Sequence, residues 1–276
     1  MDSSNGGRTS AWRSAAIVGL LGILTTAPFY VWIYRLQSRD SSAAAIGMPS
    51  MHMNQMGVFW AFPVLQATGL AALVWAYAGV ALGLTRSGRR MRWLPLSRRQ
   101  TDRLHRQISV LVIALILVHA LATAFDAMGD SLVSVFVPWQ ASWQAAVLAY
   151  NLGIFAFYLA VLLGPTYYLR DTIGVRTWRL AHRFALVVYV LSVWHTLIIG
   201  ADIKYYNWVR PLLWVAQIPL LVLFIRRLLH PAARSRNGVW SGAVRYGLAC
   251  ASAAAAVGIV VILANGSYAS VVHSIQ

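Results

Sequence analysis

Four histidines fall in two apolar stretches at nearly matched spacing, His105 and His119 in one and His182 and His195 in the other. As helix, each pair spans about four turns, or about 20 Å, enough to set one histidine toward each face of a bilayer core about 30 Å thick. Ionisable residues inside a membrane are costly and mark functional sites. Neutral imidazole is a good axial ligand for haem iron, and two of them make a six-coordinate, low-spin centre suited to electron transfer. Two His–His pairs stacked by depth therefore suit two haems, one above the other, as a wire across a membrane. The 14-residue step from His105 to His119 comes within about 40° of four full turns, so those two ligands share a helix face. The 13-residue step from His182 to His195 falls about 140° short in an ideal helix, which calls for a local distortion or for ligands presented on different sides.

The elements that must carry these residues are membrane helices. The 276-residue chain is 59% hydrophobic and only 11% charged, where a soluble domain has about a quarter of its residues charged. Its apolar residues come in blocks of the length that crosses a bilayer. Seven spans are expected, at roughly 13–34, 58–84, 106–126, 143–169, 182–200, 208–228 and 243–264. The fold class is all-α: a polytopic helix bundle with a six-helix core and one further span.

A net charge of +16 suggests nucleic acid in a soluble protein, but its distribution points elsewhere. With the N-terminus inside, 19 of the 23 basic residues fall in the inner segments, leaving Arg35, Arg39, Lys204 and Arg210 outside. This is the positive-inside asymmetry, and it sets the orientation without any nucleic-acid partner. Asp40, Asp126, Asp130 and Asp202 fall outside, and the chain has no Glu. Spans three and five then both run from inside to outside. Charge alone pairs His105 with His182 at the inner level and His119 with His195 at the outer level.

The first span follows Arg8 and Arg13 but is long for a signal peptide, and its belt of Phe29, Tyr30, Trp32 and Tyr34 marks a retained helix. Cys250 is the single cysteine, so no internal disulfide and no CxxCH attachment of haem is expected. The sequence shows no internal repeat, no Gly-rich nucleotide fingerprint and no Walker loop. Flavin or nicotinamide chemistry is therefore expected from a separate polypeptide. We divide the chain into residues 1–57 (first span and outer loop), 58–228 (two-haem core) and 229–276 (basic inner loop, extra span and tail).

Each inner histidine is followed by an arginine, Arg106 and Arg183. With Arg103 and Arg179, these suit charge-assisted bonds to haem propionates, although topology alone also explains them. The outer loop over 48–56 holds Met48, Met51, His52, Met53 and Met56. Thioether and imidazole together select soft ions such as Cu(I), and packing of methionines at the interface is the plainer account. Trp178, Trp194 and Phe125 lie near the ligands and are explained by aromatic belts. His230 and His273 read as exposed polar residues.

The pattern His105-x13-His119 with His182-x12-His195, on the third and fifth spans, resembles the ferric reductase-like transmembrane domain. That superfamily includes NADPH oxidases, eukaryotic ferric reductases and the haem subunit of periplasmic methionine sulfoxide reductase. The resemblance covers roughly residues 58–228 and implies two b haems, the inner on His105 and His182 and the outer on His119 and His195. It implies a multi-pass oxidoreductase of a bacterial cytoplasmic membrane, or its electron-transfer subunit. The chain departs from the fused members in carrying a seventh span where they carry a flavin and nicotinamide domain. A separate flavin reductase or quinol is thus the expected donor. A metal ion, oxygen or an extracytoplasmic partner protein is the expected acceptor. The competing class is a copper or iron transporter or sensor that takes up its ion at the 48–56 loop. The apolar run over 108–118 opposes it, because an ion path needs polar relays.

Overall fold

In the computed structural model every element among the described residues is helical, and no strand forms among them. The described residues are 3–39, 60–86, 97–126, 131–141, 147–200, 208–229 and 242–264. Ten helices follow in order: α1 (Ser3–Arg39), α2 (Ala61–Arg86), α3 (Arg98–Phe125), α4 (Leu132–Phe136), α5 (Val147–Leu163), α6 (Thr166–Ile173), α7 (Val175–His182), α8 (Ala185–Ile199), α9 (Val209–Leu229) and α10 (Gly242–Ala264). Six segments are long and apolar enough to cross a membrane: Ala16–Arg35, Ala61–Thr85, Arg99–Phe125, Val175–Ile199, Val209–Leu229 and Val244–Val261. A seventh is the pair α5 and α6, bent by 52° at Gly164 and Pro165. The chain is thus a multi-pass helical membrane protein with six or seven spans.

The third span begins at Arg99, seven residues before the expected start, and two further boundaries differ from those read off the sequence. The fourth span does not run straight to residue 169, because Pro165 has no N–H to continue the helical ladder and α6 sets off in a new direction. The fifth begins earlier, at Val175, just after Gly174, whose φ of 84° suits a residue without Cβ. It carries a turn at Arg183 and Phe184 before α8 resumes. There the N–H groups of Arg183, Phe184 and Leu186 donate three residues back, to the carbonyls of Leu180, Ala181 and Arg183. Such tighter winding advances about 120° per residue instead of 100°. A local distortion between His182 and His195 is what their 13-residue spacing calls for, and this turn supplies part of it.

The chain forms two compact units, one of residues 1–77 and 106–199 and the other of residues 78–105 and 200–276. In the first, Ala71 and Ala72 of α2 pack against Leu111 and Leu115 of α3, ringed by Val18, Leu21, Phe29, Trp75 and Ile116. Close approach of small residues is how helices adhere where lipid is as apolar as leucine. The indole Nε1 of Trp75 donates to Thr25 Oγ1 of α1 at 3.0 Å. In the same unit α5 runs along α8. Large apolar side chains such as Ile23, Leu162 and Val190 lie exposed, as lipid-facing positions must. In the second unit α9 packs along α10. Arg245 Nε of α10 donates at 3.1 Å to the carbonyl of Leu228, satisfying an acceptor in the last turn of α9.

Candidate functional site

The structure brings His119 of α3 and His195 of α8 together inside the first unit. Their ring centres lie 6.1 Å apart and their planes are nearly perpendicular, at 89°. Each ring is held in the same way. His119 Nδ1 is 2.7 Å from the carbonyl oxygen of Leu65 on α2, and His195 Nδ1 is 2.7 Å from that of Ala149 on α5. A carbonyl oxygen can only accept, so Nδ1 must carry the proton on both rings. The lone pair is then on Nε2, which is the tautomer a metal ligand needs, and the carbonyl fixes the ring's rotation and raises its basicity.

Four residues beyond each of those carbonyls stands a glycine, Gly69 on α2 and Gly153 on α5. A Cβ on Gly69 would lie 2.9 Å from His119 Nδ1, and one on Gly153 would lie 2.9 Å from both Nδ1 and Cε1 of His195. The imidazoles rest flush on the bare backbone of the neighbouring helix, in space that even an alanine methyl would fill. A third glycine repeats the theme in the second unit, where a Cβ on Gly83 would come within 3.4 Å of His105 Cε1.

This arrangement was missed in the sequence, where no repeat was seen. The structure shows one local device used twice: a carbonyl, then a glycine four residues on, facing a histidine of the partner helix. One signal was present, since Gly69 and Gly83 are separated by the same 14 residues as His105 and His119. The carbonyls carry no signal at all, because every residue has one.

The geometry tests whether a haem fits. Two imidazoles bonded at about 2 Å to one shared metal place their ring centres about 6 Å apart, and the observed 6.1 Å agrees. Among the described residues no group of three or more His, Cys, Asp or Glu side chains is arranged to hold a metal ion. Two imidazoles alone fall short of the three or four protein ligands of a zinc-type site. A porphyrin brings its own equatorial nitrogens and asks the protein for two axial ligands, which is the number present. The fit is good.

The other expected site residues are placed as follows. His182 ends α7 and stacks on Trp178, with ring centres 5.3 Å apart at 20°. His182 belongs to the first unit and His105 to the second. Arg106 is exposed, donates from Nη1 to Tyr167 Oη at 3.3 Å, and lies 5.2 Å from the centre of that ring. Arg183 sits exposed in the turn that follows α7. Met48, Met51, His52, Met53 and Met56 fall outside the described residues, as do Asp130, Asp202, His230 and His273.

Between the two histidine positions of α3 the side chains of Ile108, Leu111, Val112 and Leu115 are buried. Tyr77 and Tyr189 meet edge-on at 6.4 Å, and Tyr189 stands about midway in sequence between His182 and His195. Beside the His119–His195 site, buried Asn151 lies between Ala149 and Gly153 on α5, and its Oδ1 accepts from the backbone N–H of Trp139 at 2.8 Å. Trp139 has a φ of 63°, a left-handed conformation that costs a bulky residue energy unless its surroundings hold it there. Asn151 and the ring contact of Trp139 with Phe155, at 5.8 Å, do so.

Comparison with protein families matches residues 68–193 to the family described as ferric reductase like transmembrane component. That segment contains His105, His119 and His182 together with Gly69, Gly83 and Gly153, and it ends two residues before His195. Comparisons with curated proteins and with solved structures returned no match.

Proposed function

Because residues 68–193 match the family described as ferric reductase like transmembrane component, we propose that this chain carries electrons across a membrane between two haem levels. Electrons pass from a donor at the arginine-rich inner face to an acceptor at the outer face. The observation that carries this reading is the His119–His195 pair, with Nδ1 of both rings tied to backbone carbonyls and ring centres at the separation of two axial ligands.

In this reading His119 and His195 hold the outer haem, and His105 and His182 hold the inner one. When bound, each haem supplies a one-electron Fe(III)/Fe(II) couple. The protein does the rest. The Leu65 and Ala149 carbonyls hold the proton on Nδ1 and leave Nε2 free to ligate, and by raising imidazole basicity they would favour the ferric state of a bound haem. Gly69 and Gly153 let the rings sit where those bonds can form. The buried layer of Ile108, Leu111, Val112 and Leu115 excludes water, so protons and ions are refused passage along a route that electrons can cross. Arg106 and Arg183, at the inner level, provide donors for propionates.

The donor is a separate flavin reductase or quinol, and the membrane is a bacterial cytoplasmic membrane with the N-terminus inside. The acceptor is ferric or another oxidised metal ion, which makes the chain the haem subunit of a metal reductase system. A partner enzyme outside the membrane is the second reading. A metal transporter is the less favoured class, since the buried side chains of α3 between its two histidines, Ile108, Leu111, Val112 and Leu115, are all apolar. His119→Ala and His105→Ala test the assignment. Each is expected to remove a different haem, leaving about half the b-type absorbance and one of the two midpoint potentials. Retention of both haems and both potentials in either variant contradicts it.

A further inference from the structure

Trp178, a belt residue by its sequence position, makes contacts that membrane anchoring does not require. Its indole stacks on His182 at 5.3 Å, and its Nε1–H is buried without a hydrogen bond among the described residues. A buried donor left unpaired is destabilising and calls for a reason. The far side of the indole gives one. Tyr167 meets Trp178 edge-on, with ring centres 6.1 Å apart. Two guanidiniums flank the Tyr167 ring, that of Arg170 at 4.3 Å from its centre and that of Arg106 at 5.2 Å. Three rings in contact thus lead from Arg106 of α3 and Arg170 of α6, the latter also paired with Asp171 at 3.5 Å, to His182.

We propose that Tyr167 and Trp178 are the inlet by which electrons reach the inner histidine level, and that Arg170 and Arg106 draw an anionic donor to it. The inference rests on the reading of His182 as a haem ligand. One electron leaves a reduced donor such as a dihydroflavin, which is oxidised, and one ferric iron held at His182 becomes ferrous. No bond forms and no proton is taken up along the rings. Cations over a ring disfavour removal of an electron from it, so Tyr167 is not oxidised on the way. The rings act as a bridge, and the positive charge serves to raise the local concentration of an anionic donor. The bland alternative, that these arginines only meet lipid headgroups, does not account for the contacts onward to His182.

The test compares two reductants with the same isoalloxazine, dihydro-flavin mononucleotide and the phosphate-free dihydrolumiflavin, acting on the full-length haem-loaded protein. Haem reduction is followed by stopped flow. The mononucleotide is expected to be faster at low salt and to lose its advantage as salt screens the patch. Arg170→Gln narrows the ratio of the two rates. Trp178→Leu slows reduction by both flavins severalfold, while Trp178→Phe, which keeps a ring against His182, stays close to wild type. The ferric EPR spectrum is an independent readout, since Trp178→Leu should shift one of the two low-spin signals and leave the other. Wild-type reduction rates and unchanged EPR signals in Trp178→Leu overturn the proposal, as does a mononucleotide advantage that salt and Arg170→Gln both leave intact. Absence of haem from the wild-type protein sinks the underlying reading instead, and the inlet with it.

Discussion

At the scale of single residues, the site depends on atoms that are missing. Gly69 and Gly153 lie inside helices, where alanine is the better helix former by about 1 kcal/mol. Gly153→Ala and Gly69→Ala should therefore stabilise the protein if these positions were only structural. We expect the reverse for the haem, because the new methyl lands 2.9 Å from an imidazole that a carbonyl holds in place. Each variant should lose most of the outer haem, measured by pyridine haemochrome. Gly258→Ala, with nothing within 4 Å, should keep full haem content. Retention of both haems in Gly153→Ala would remove the cradle from the account. The four histidines were legible because an ionisable side chain in an apolar run is conspicuous. Their glycine partners were not, since a glycine gains meaning only once the facing helix is known.

At the scale of elements, periodicity located the spans and left their joints unread. The fourth span reads as one stretch to residue 169, whereas Pro165 breaks it and α6 leaves at 52°. The shortfall of the His182–His195 spacing was visible as arithmetic, whereas the turn at Arg183 and Phe184 that addresses it depends on backbone bonds with no sequence signature. The strained Trp139 was likewise unreadable, because a bulky residue takes a φ of 63° only where its surroundings hold it. Asn151→Ala should expose that dependence. Removing the acceptor of the Trp139 N–H, with Asn151 buried, costs about 1 kcal/mol or more. It should lower the melting temperature of the detergent-solubilised protein by circular dichroism, and a melt equal to wild type would count against this role of Asn151.

At the scale of the whole molecule, the account has a direction. The division of 19 basic residues against 4 sets the arginine-rich loops inside, and the inner and outer labels of the two histidine levels follow from it. Single cysteines at Ser131 and Thr172, both exposed, test this in a Cys250→Ser background. An impermeant maleimide should label Ser131→Cys in intact cells and Thr172→Cys only after permeabilisation. The opposite pattern would exchange the donor and acceptor faces. Composition made the membrane class plain. The chemistry at either end was less so, because the connecting segments that would meet a donor or an acceptor have no periodicity to read.

The claim beneath all of this is that one chain holds two bis-histidine haems. The most direct measurement is haem quantification on protein purified from haem-replete cells, with a reduced-minus-oxidised spectrum and a redox titration of the same sample. We predict a b-type spectrum, about two haems per chain, and a titration that needs two one-electron potentials. A colourless preparation, or a coloured one whose spectrum survives replacement of both His119 and His195, would contradict the account.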